Sequence, residues 1–210
     1  MTTIEQKKHN CFIQIKKFCN LSSMQEKKLE DYVNLLLSHN QSFNLIGNST
    51  TENIWERHIL DCAQLIKFID NFDLKFADIG SGAGLPGIVL SILGLKEIHL
   101  IEKSFRKCEF LRKAKLFSNN RLLINNSKLE ELNNQKYDYL VSRALAPLPK
   151  LLEYSIKFLN NDGFCLFLKG KNLQFEIEES QKIFEFDFDL FKSITSQEGN
   201  IIRLKKIIKK

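Results

Sequence analysis

Phe76-Ala77-Asp78-Ile79-Gly80-Ser81-Gly82-Ala83-Gly84-Leu85-Pro86-Gly87 is an apolar run that ends in alternating glycines. Glycine lets a backbone turn with positive φ and lets a ligand approach where a Cβ would stand in the way. An apolar strand, a glycine loop and an amphipathic helix, in that order, lay out a nucleotide-type cofactor site at the carboxyl edge of a parallel sheet. The spacing is Asp-x-Gly-x-Gly-x-Gly, which differs from the Gly-x-Gly-x-x-Gly that offers a helix N-terminus to a pyrophosphate. An acid ahead of the first glycine suits S-adenosylmethionine (SAM), which has no phosphate and carries a cationic sulfonium. Asp78, Gly80, Gly82, Gly84 and Leu85 are therefore candidate cofactor residues.

Around this stretch, from Leu74 onward, short apolar runs alternate with helical segments. Strands are predicted at 75–79, 97–101, 121–124, 137–141 and 163–168, and helices at 86–93, 104–117, 147–159 and 172–182. That rhythm predicts an α/β three-layer sandwich with a mainly parallel sheet. The runs at 188–195 and 200–208, joined by Gln197-Glu198-Gly199-Asn200, should close the sheet as an antiparallel hairpin. Ahead of Leu74, apolar spacings of three and four predict helices over 4–20 and 24–38. Ser22 or Ser23, with Glu26, is the expected capping box of the second helix. A polar connection over 40–51 and a helix over 52–69 follow. The expected division is a helical segment, 1–72, packed on a SAM-binding domain, 73–210.

The chain has 210 residues, 43% of them apolar and 27% charged, an ordinary globular balance. No apolar run approaches the roughly 18 residues of a membrane span, and Met1 to Asn10 contain no signal-type apolar core. Five scattered cysteines (11, 19, 62, 108 and 165) without a Cys-x-x-Cys pair read as reduced, mostly buried thiols of a cytoplasmic protein. Net charge is +6, and all of the excess lies after residue 72, in Lys103, Arg106, Lys107, Arg112, Lys113 and Lys115 and in the tail Arg203, Lys205, Lys206, Lys209 and Lys210. Clustered cations favour a polyanion through counterion release, as much as they suit a solvated helix face.

Glu102, at the end of the second strand, can accept both ribose hydroxyls of an adenosine-containing ligand. Ser127-Lys128-Leu129-Glu130-Glu131 follows the third strand, where a backbone N–H and a side chain could bracket an adenine. Ser142-Arg143-Ala144-Leu145-Ala146-Pro147 follows the fourth, at the edge where a transferred group should sit. It contains neither the Asp/Asn-Pro-Pro-aromatic tetrapeptide of exocyclic-amine methyltransferases nor the cysteine of cytosine-C5 enzymes. No acidic and histidine cluster has metal-ligand spacing, so no metal is expected. A site of this kind can still alkylate a free lone pair held in line, where positioning supplies on the order of 7–11 kcal/mol. Guanine N7 is such an atom.

Arg57-His58-Ile59-Leu60-Asp61 puts His58 and Asp61 three apart on one helix face, as a local structural pair or as groups over the cofactor mouth. Lys169-Gly170-Lys171 closes the fifth strand at the same edge, where Lys169 could meet a phosphate or simply snorkel. With Lys103, Arg106 and Lys107 it makes up the candidate RNA-binding set, while the acids Glu176, Glu178, Glu179, Glu185, Asp187 and Asp189 read as a solvated face away from RNA. On residues alone, a methyltransferase of RNA, of protein or of a small molecule, a non-catalytic SAM- and RNA-binding module, and more remotely a dehydrogenase all stay open.

Asn44-Leu45, Arg57-His58-Ile59-Leu60-Asp61, the Asp78-to-Gly87 stretch, Ser142-Arg143-Ala144 and Leu168-Lys169-Gly170 fall in the order and spacing of the RsmG (GidB) family. The sequence resembles these bacterial methyltransferases of small-subunit ribosomal RNA over nearly its whole length. The resemblance implies a class I SAM-dependent methyltransferase with a Rossmann-like fold. It implies methyl transfer to N7 of one guanine, position 527 in the 530 loop of 16S ribosomal RNA, without metal or covalent intermediate. It places cofactor contacts on Gly80, Leu85, Leu129, Glu130 and Arg143, with Glu102 as the ribose acid. Arg143 and His58 are the candidates for positioning the reactants. The expected substrate is a small-subunit particle and the expected state a monomer.

Overall fold

A computed structural model describes residues 3–118, 120–132 and 135–210. Seven strands form one sheet: β1 (Lys75–Ile79), β2 (Glu97–Ile101), β3 (Arg121–Asn125), β4 (Tyr137–Arg143), β5 (Leu159–Lys169), β6 (Phe184–Lys192) and β7 (Asn200–Lys209). Their order is β3-β2-β1-β4-β5-β7-β6, parallel except for β7, which runs antiparallel between β5 and β6. In β1, β2 and β4, successive residues are buried on both faces, as a sheet covered by helices on both sides requires. The chain steps outward from β1 through β2 to β3 and then returns to the other flank of β1 as β4. Strand order therefore reverses between β1 and β4, the place where open α/β sheets bind ligands.

Among the described residues, seven α-helices accompany the strands: α1 (Ile4–Lys16), α2 (Ser23–Asn40), α3 (Asp61–Ala63), α4 (Gly87–Leu93), α5 (Phe105–Ala114), α6 (Leu148–Phe158) and α7 (Leu173–Gln181). On one face of the sheet, Phe76, Ile98, Tyr139 and Leu166 join a single apolar core with Leu29, Tyr32 and Trp55 of the N-terminal helices. On the other, Ile79, Leu140 and Phe167 pack with Leu152 of α6 and Ile177 of α7. The N-terminal segment also reaches the site directly. The buried Tyr32 hydroxyl donates to the Ala83 carbonyl at 2.8 Å, so α2 holds the glycine turn from behind.

Three local expectations change. The box that starts α2 is Ser22 with Gln25, not Glu26, because the Gln25 side chain reaches back to the Ser22 N–H at 3.0 Å. The helix expected over 52–69 changes geometry along its length. A 3-10 stretch (Asn48–Asn53) leads into a wider π turn (Trp55–Leu60), then α3 and a second 3-10 stretch (Gln64–Phe68). Hydrophobic spacing marks such a segment as helical without fixing its pitch. Last, β6 begins at Phe184 rather than 188. Its acids lie across from the basic tail, with Asp187 opposite Lys205 and Asp189 opposite Arg203. Lys206 pairs with Asp187 at 3.1 Å and Arg203 with Asp70 at 3.0 Å. Arg203 and Lys206 of the tail are thus paired within the protein, and the acids of β6, the edge strand, also discourage pairing with another chain.

Replacing Tyr32 by phenylalanine strands a buried carbonyl at the turn. Urea denaturation of Tyr32→Phe should show a loss of about 1–3 kcal/mol; unchanged stability would mean that α2 does not support the turn.

Candidate functional site

Two cavities open at the carboxyl ends of the parallel strands. The first, of about 660 Å³, is lined by Gly80, Gly82, Leu85, Glu102, Leu129 and Glu130. The second, of about 650 Å³, is lined by Thr50, His58, Asp61, Lys169, Glu176 and Asn200 among others. Leu45, Ile46, Arg143 and Ala144 line both, so a group held in one cavity can face a group held in the other.

The glycine turn that walls the first cavity is tied to the end of β2. Gly80 and Ser81 both donate their N–H to the Ile101 carbonyl at 3.0 Å. Gly82 donates to Glu102 Oε2 at 2.9 Å, and Ser104 donates to Oε1 at 2.8 Å. Glu102 is buried, and each of its oxygens, bonded once, keeps capacity to accept a hydroxyl. Gly80 and Gly82 have φ of +73° and +57°. A Cβ at Gly80 would stand 2.4 Å from Leu145 Cδ1, whereas one at Gly82 would meet nothing nearer than Gly80 O at 3.9 Å and would point into open space. Across the cavity, Tyr154 donates to Glu130 Oε1 at 2.6 Å, which holds that carboxyl below its usual range.

Arg143, at the tip of β4, joins the two cavities and ties the N-terminal segment to the sheet. Its Nη2 donates to His58 Nδ1 at 2.8 Å, Nη1 donates to the Arg57 carbonyl at 3.1 Å, and Nη1 lies 3.6 Å from Asp61 Oδ2. Arginine only donates, so Nδ1 must be the acceptor and the ring hydrogen sits on Nε2, which reaches Thr50 Oγ1 at 2.8 Å. Burial, and then the guanidinium groups of Arg143 and Arg57, push His58 down to about 3. Asp61 Oδ1 accepts from Thr195 at 2.7 Å and from Gln64 at 3.0 Å, which turns Oδ2 toward Arg143. Ala144 follows with φ of 54°, a conformation costly for a residue with a Cβ, at the point where the cavities meet. The loop that brings Leu45 and Ile46 to both cavities hangs from Asn40, whose Oδ1 accepts their N–H groups at 2.8 and 2.9 Å.

A family model described as rRNA small subunit methyltransferase G (GidB) matches residues 25–203. The ribosomal RNA small subunit methyltransferase G of Rickettsia felis is 42% identical over 183 residues, covering 87% of this chain and 94% of that protein. Its counterpart in Rickettsia prowazekii is 41% identical over the same span, with 95% of that protein covered. The chain belongs to this family. The fold is also shared with solved structures. The ribosomal protein L11 methylase of Lactobacillus delbrueckii aligns with a TM-score of 0.59 over 71% of this chain and 78% of its own, at 19% identity. A Pyrococcus horikoshii TYW2 in complex with MeSAdo aligns at 0.56, covering 71% and 63%, at 11% identity.

In this member of the GidB family, the cofactor candidates divide. Gly80, Gly82, Leu85, Glu102, Leu129, Glu130 and Arg143 line the first cavity. Asp78 and Gly84 do not. The pleat of β1 turns Asp78 toward α4, where it is fully buried and accepts from the Gly87 N–H at 2.9 Å. Among the described residues its Oδ1 has no hydrogen-bond partner, and burial pushes the carboxyl up to about 7. Gly84 faces Ile88 and Leu111, so its missing Cβ serves helix packing. Of the basic candidates, Lys103 and Lys107 border the first cavity and Arg106 is exposed on α5. Lys169 instead lines the second cavity, largely buried, 2.6 Å from Glu176 and donating to the Ala146 carbonyl at 2.9 Å. That corrects the solvated face expected of Glu176 and sets Lys169 beside a carboxylate in a cavity wall. Tyr154, Ile46 and Thr50 carried no signal in the sequence, since each matters only through a tertiary neighbour.

His58 should stay neutral well below its ordinary value of 6.5. Because its folded value is depressed, the unfolded chain takes the proton first. The stability this contributes is complete above pH 6.5 and drains away as pH falls toward about 3. Nitrogen-15 NMR of the imidazole should show the Nε2–H tautomer and no titration down to about pH 5; a midpoint near 6.5 would show that the Arg143 contact does not form in solution.

Proposed function

We propose that this chain transfers a methyl group from SAM to N7 of a single guanine of 16S ribosomal RNA. Membership in the GidB family makes it a SAM-dependent methyltransferase of small-subunit ribosomal RNA, and the choice of atom is the finer reading. The observation that carries it is the pair of cavities meeting at Arg143 and Ala144. The first has the features a SAM site needs: an acid placed for ribose hydroxyls, a glycine whose Cβ would intrude, and Leu129 with Glu130 at the wall expected for an adenine. Bound there, the cofactor supplies an electrophilic methyl: the N7 lone pair forms the new C–N bond as the C–S bond breaks, the electron pair stays on sulfur, and no proton has to move.

The protein's contribution is then placement. Glu102, held in place by the Gly82 N–H, fixes the ribose end, and Arg143 with Ala144 forms the passage through which base and methyl face each other. His58, held neutral, is no proton acceptor for a reaction that needs none; it orients Arg143. Lys103, Arg106 and Lys107 supply positive charge beside the first cavity for the RNA backbone. The substrate we propose is the small-subunit particle, met by the protein as a monomer in the cytoplasm. Among the described residues, no helix is long and apolar enough to cross a membrane.

Incubation with radiolabelled SAM and small subunits from a strain lacking the modification should place label at guanine N7; label on another atom, another RNA or a protein overturns the reading. Gly82→Val should lower SAM affinity at least about tenfold in calorimetry, with a fold cost near the 1–2 kcal/mol of a left-handed residue. Undiminished affinity would mean that SAM does not lie over Gly82.

A further inference from the structure

The second cavity is lined by two acids, Asp61 and Glu176. Asp61 Oδ1 accepts from Thr195 and Gln64, and its Oδ2 faces the Arg143 guanidinium at 3.6 Å. Glu176, at the first turn of α7, accepts one hydrogen bond, from the Leu148 N–H at 2.6 Å on Oε2, and among the described residues no hydrogen bond reaches Oε1. Beside it at 2.6 Å stands Lys169, whose ammonium makes one hydrogen bond, to the Ala146 carbonyl. The pair is mostly buried, with side-chain exposures of 10% for Lys169 and 19% for Glu176. A cation and a carboxylate held side by side in a cavity wall present a donor next to an acceptor.

We infer that Lys169 and Glu176 read the Watson–Crick edge of the target base and select guanine. The inference rests on the N7 transfer proposed above. Guanine offers the O6 acceptor beside the N1–H and N2–H donors, the complement of an ammonium beside a carboxylate. Adenine offers a donor where guanine has O6 and a lone pair at N1, so both contacts would repel. With N7 at the passage marked by Arg143 and Ala144, the Watson–Crick edge projects into the cavity that Lys169 and Glu176 line. O6, adjacent to N7 on the ring system, meets Lys169, and N1–H with N2–H meets Glu176 Oε1. Glu176 is thus a specificity-determining residue and Lys169 its partner.

The test uses the full chain, SAM, and reconstituted small subunits carrying guanine or inosine at the target position. Inosine keeps N7, O6 and N1–H and lacks only the 2-amino group. The wild-type protein should prefer guanine by about tenfold or more in kcat/KM. In Glu176→Gln, whose amide oxygen can still accept from Leu148, that preference should fall to within about twofold while SAM affinity is unchanged. If Glu176→Gln does not melt cooperatively, Glu176→Asp, which withdraws the charge by one methylene, is read the same way. A wild-type protein indifferent to the 2-amino group, or a variant that keeps the full preference, overturns the inference and leaves N7 transfer standing. Absence of transfer to either substrate by the wild type overturns N7 transfer itself.

Discussion

Three consecutive backbone N–H groups after β1, those of Gly80, Ser81 and Gly82, are spent on the end of β2, two on the Ile101 carbonyl and one on Glu102. The rest of the site depends on this arrangement. It bends the turn sharply enough to open a cavity, fixes a buried carboxylate in the cavity wall, and leaves no row of free N–H donors. A turn that grips a pyrophosphate keeps those donors for the ligand. Here they are satisfied within the protein, so the site suits an adenosine ligand anchored through its ribose. From behind, the Tyr32 hydroxyl holds the Ala83 carbonyl, so α2 belongs to the machinery that shapes the turn.

Arg143 is the second point on which the parts converge. A guanidinium at the meeting place of donor and acceptor would oppose transfer to a neutral base that becomes cationic as it gains a methyl. Asp61, 3.6 Å away, offsets that charge, and the neutral His58 holds the guanidinium without adding a second cation. The three residues come from β4, the π turn and α3, and their contacts form because the widened turn leaves both His58 and Asp61 in reach of one side chain. A buried histidine, a carboxylate and an arginine in contact often signal acid–base chemistry. Here the direction of the His58 shift argues for geometry instead.

Charge works on a longer scale. The net excess of +6 resides after residue 72, but its two basic clusters have different fates. In the tail, Asp70 pairs with Arg203 and Asp187 of β6 pairs with Lys206, so part of that cluster is matched inside the molecule. At α5, Arg106 is exposed, Lys103 is exposed at the border of the first cavity, and Arg112 pairs with Glu109 on its own helix. On the RNA contacts proposed above, the backbone would meet this face through many weak attractions. Counting charges along the chain could not separate the two clusters, because the neutralising acids of the tail lie across a hairpin.

What the sequence made legible follows the same division between local and tertiary causes. The parallel strands were readable because a strand buried on both faces must be apolar throughout, and the glycine turn because positive φ at Gly80 and Gly82 leaves little alternative. Glu102 was readable because a strand end fixes where its last side chain lands. Asp78 was misplaced although it belongs to the same motif: alternation along β1 sends it under α4, and the motif records residue types without the face each one takes. Lys169 and Glu176 illustrate the other limit. Weighed alone, Glu176 read as solvated charge and Lys169 as a phosphate contact or a snorkelling lysine, and only the end of β5 meeting the start of α7 makes a donor and an acceptor of them. A sheet edge is written in neighbouring residues, whereas the chemistry at that edge is written in pairs that the fold brings together. A site residue that acts through a partner distant in sequence, as Tyr154 does through Glu130, therefore stays silent until the partner is known.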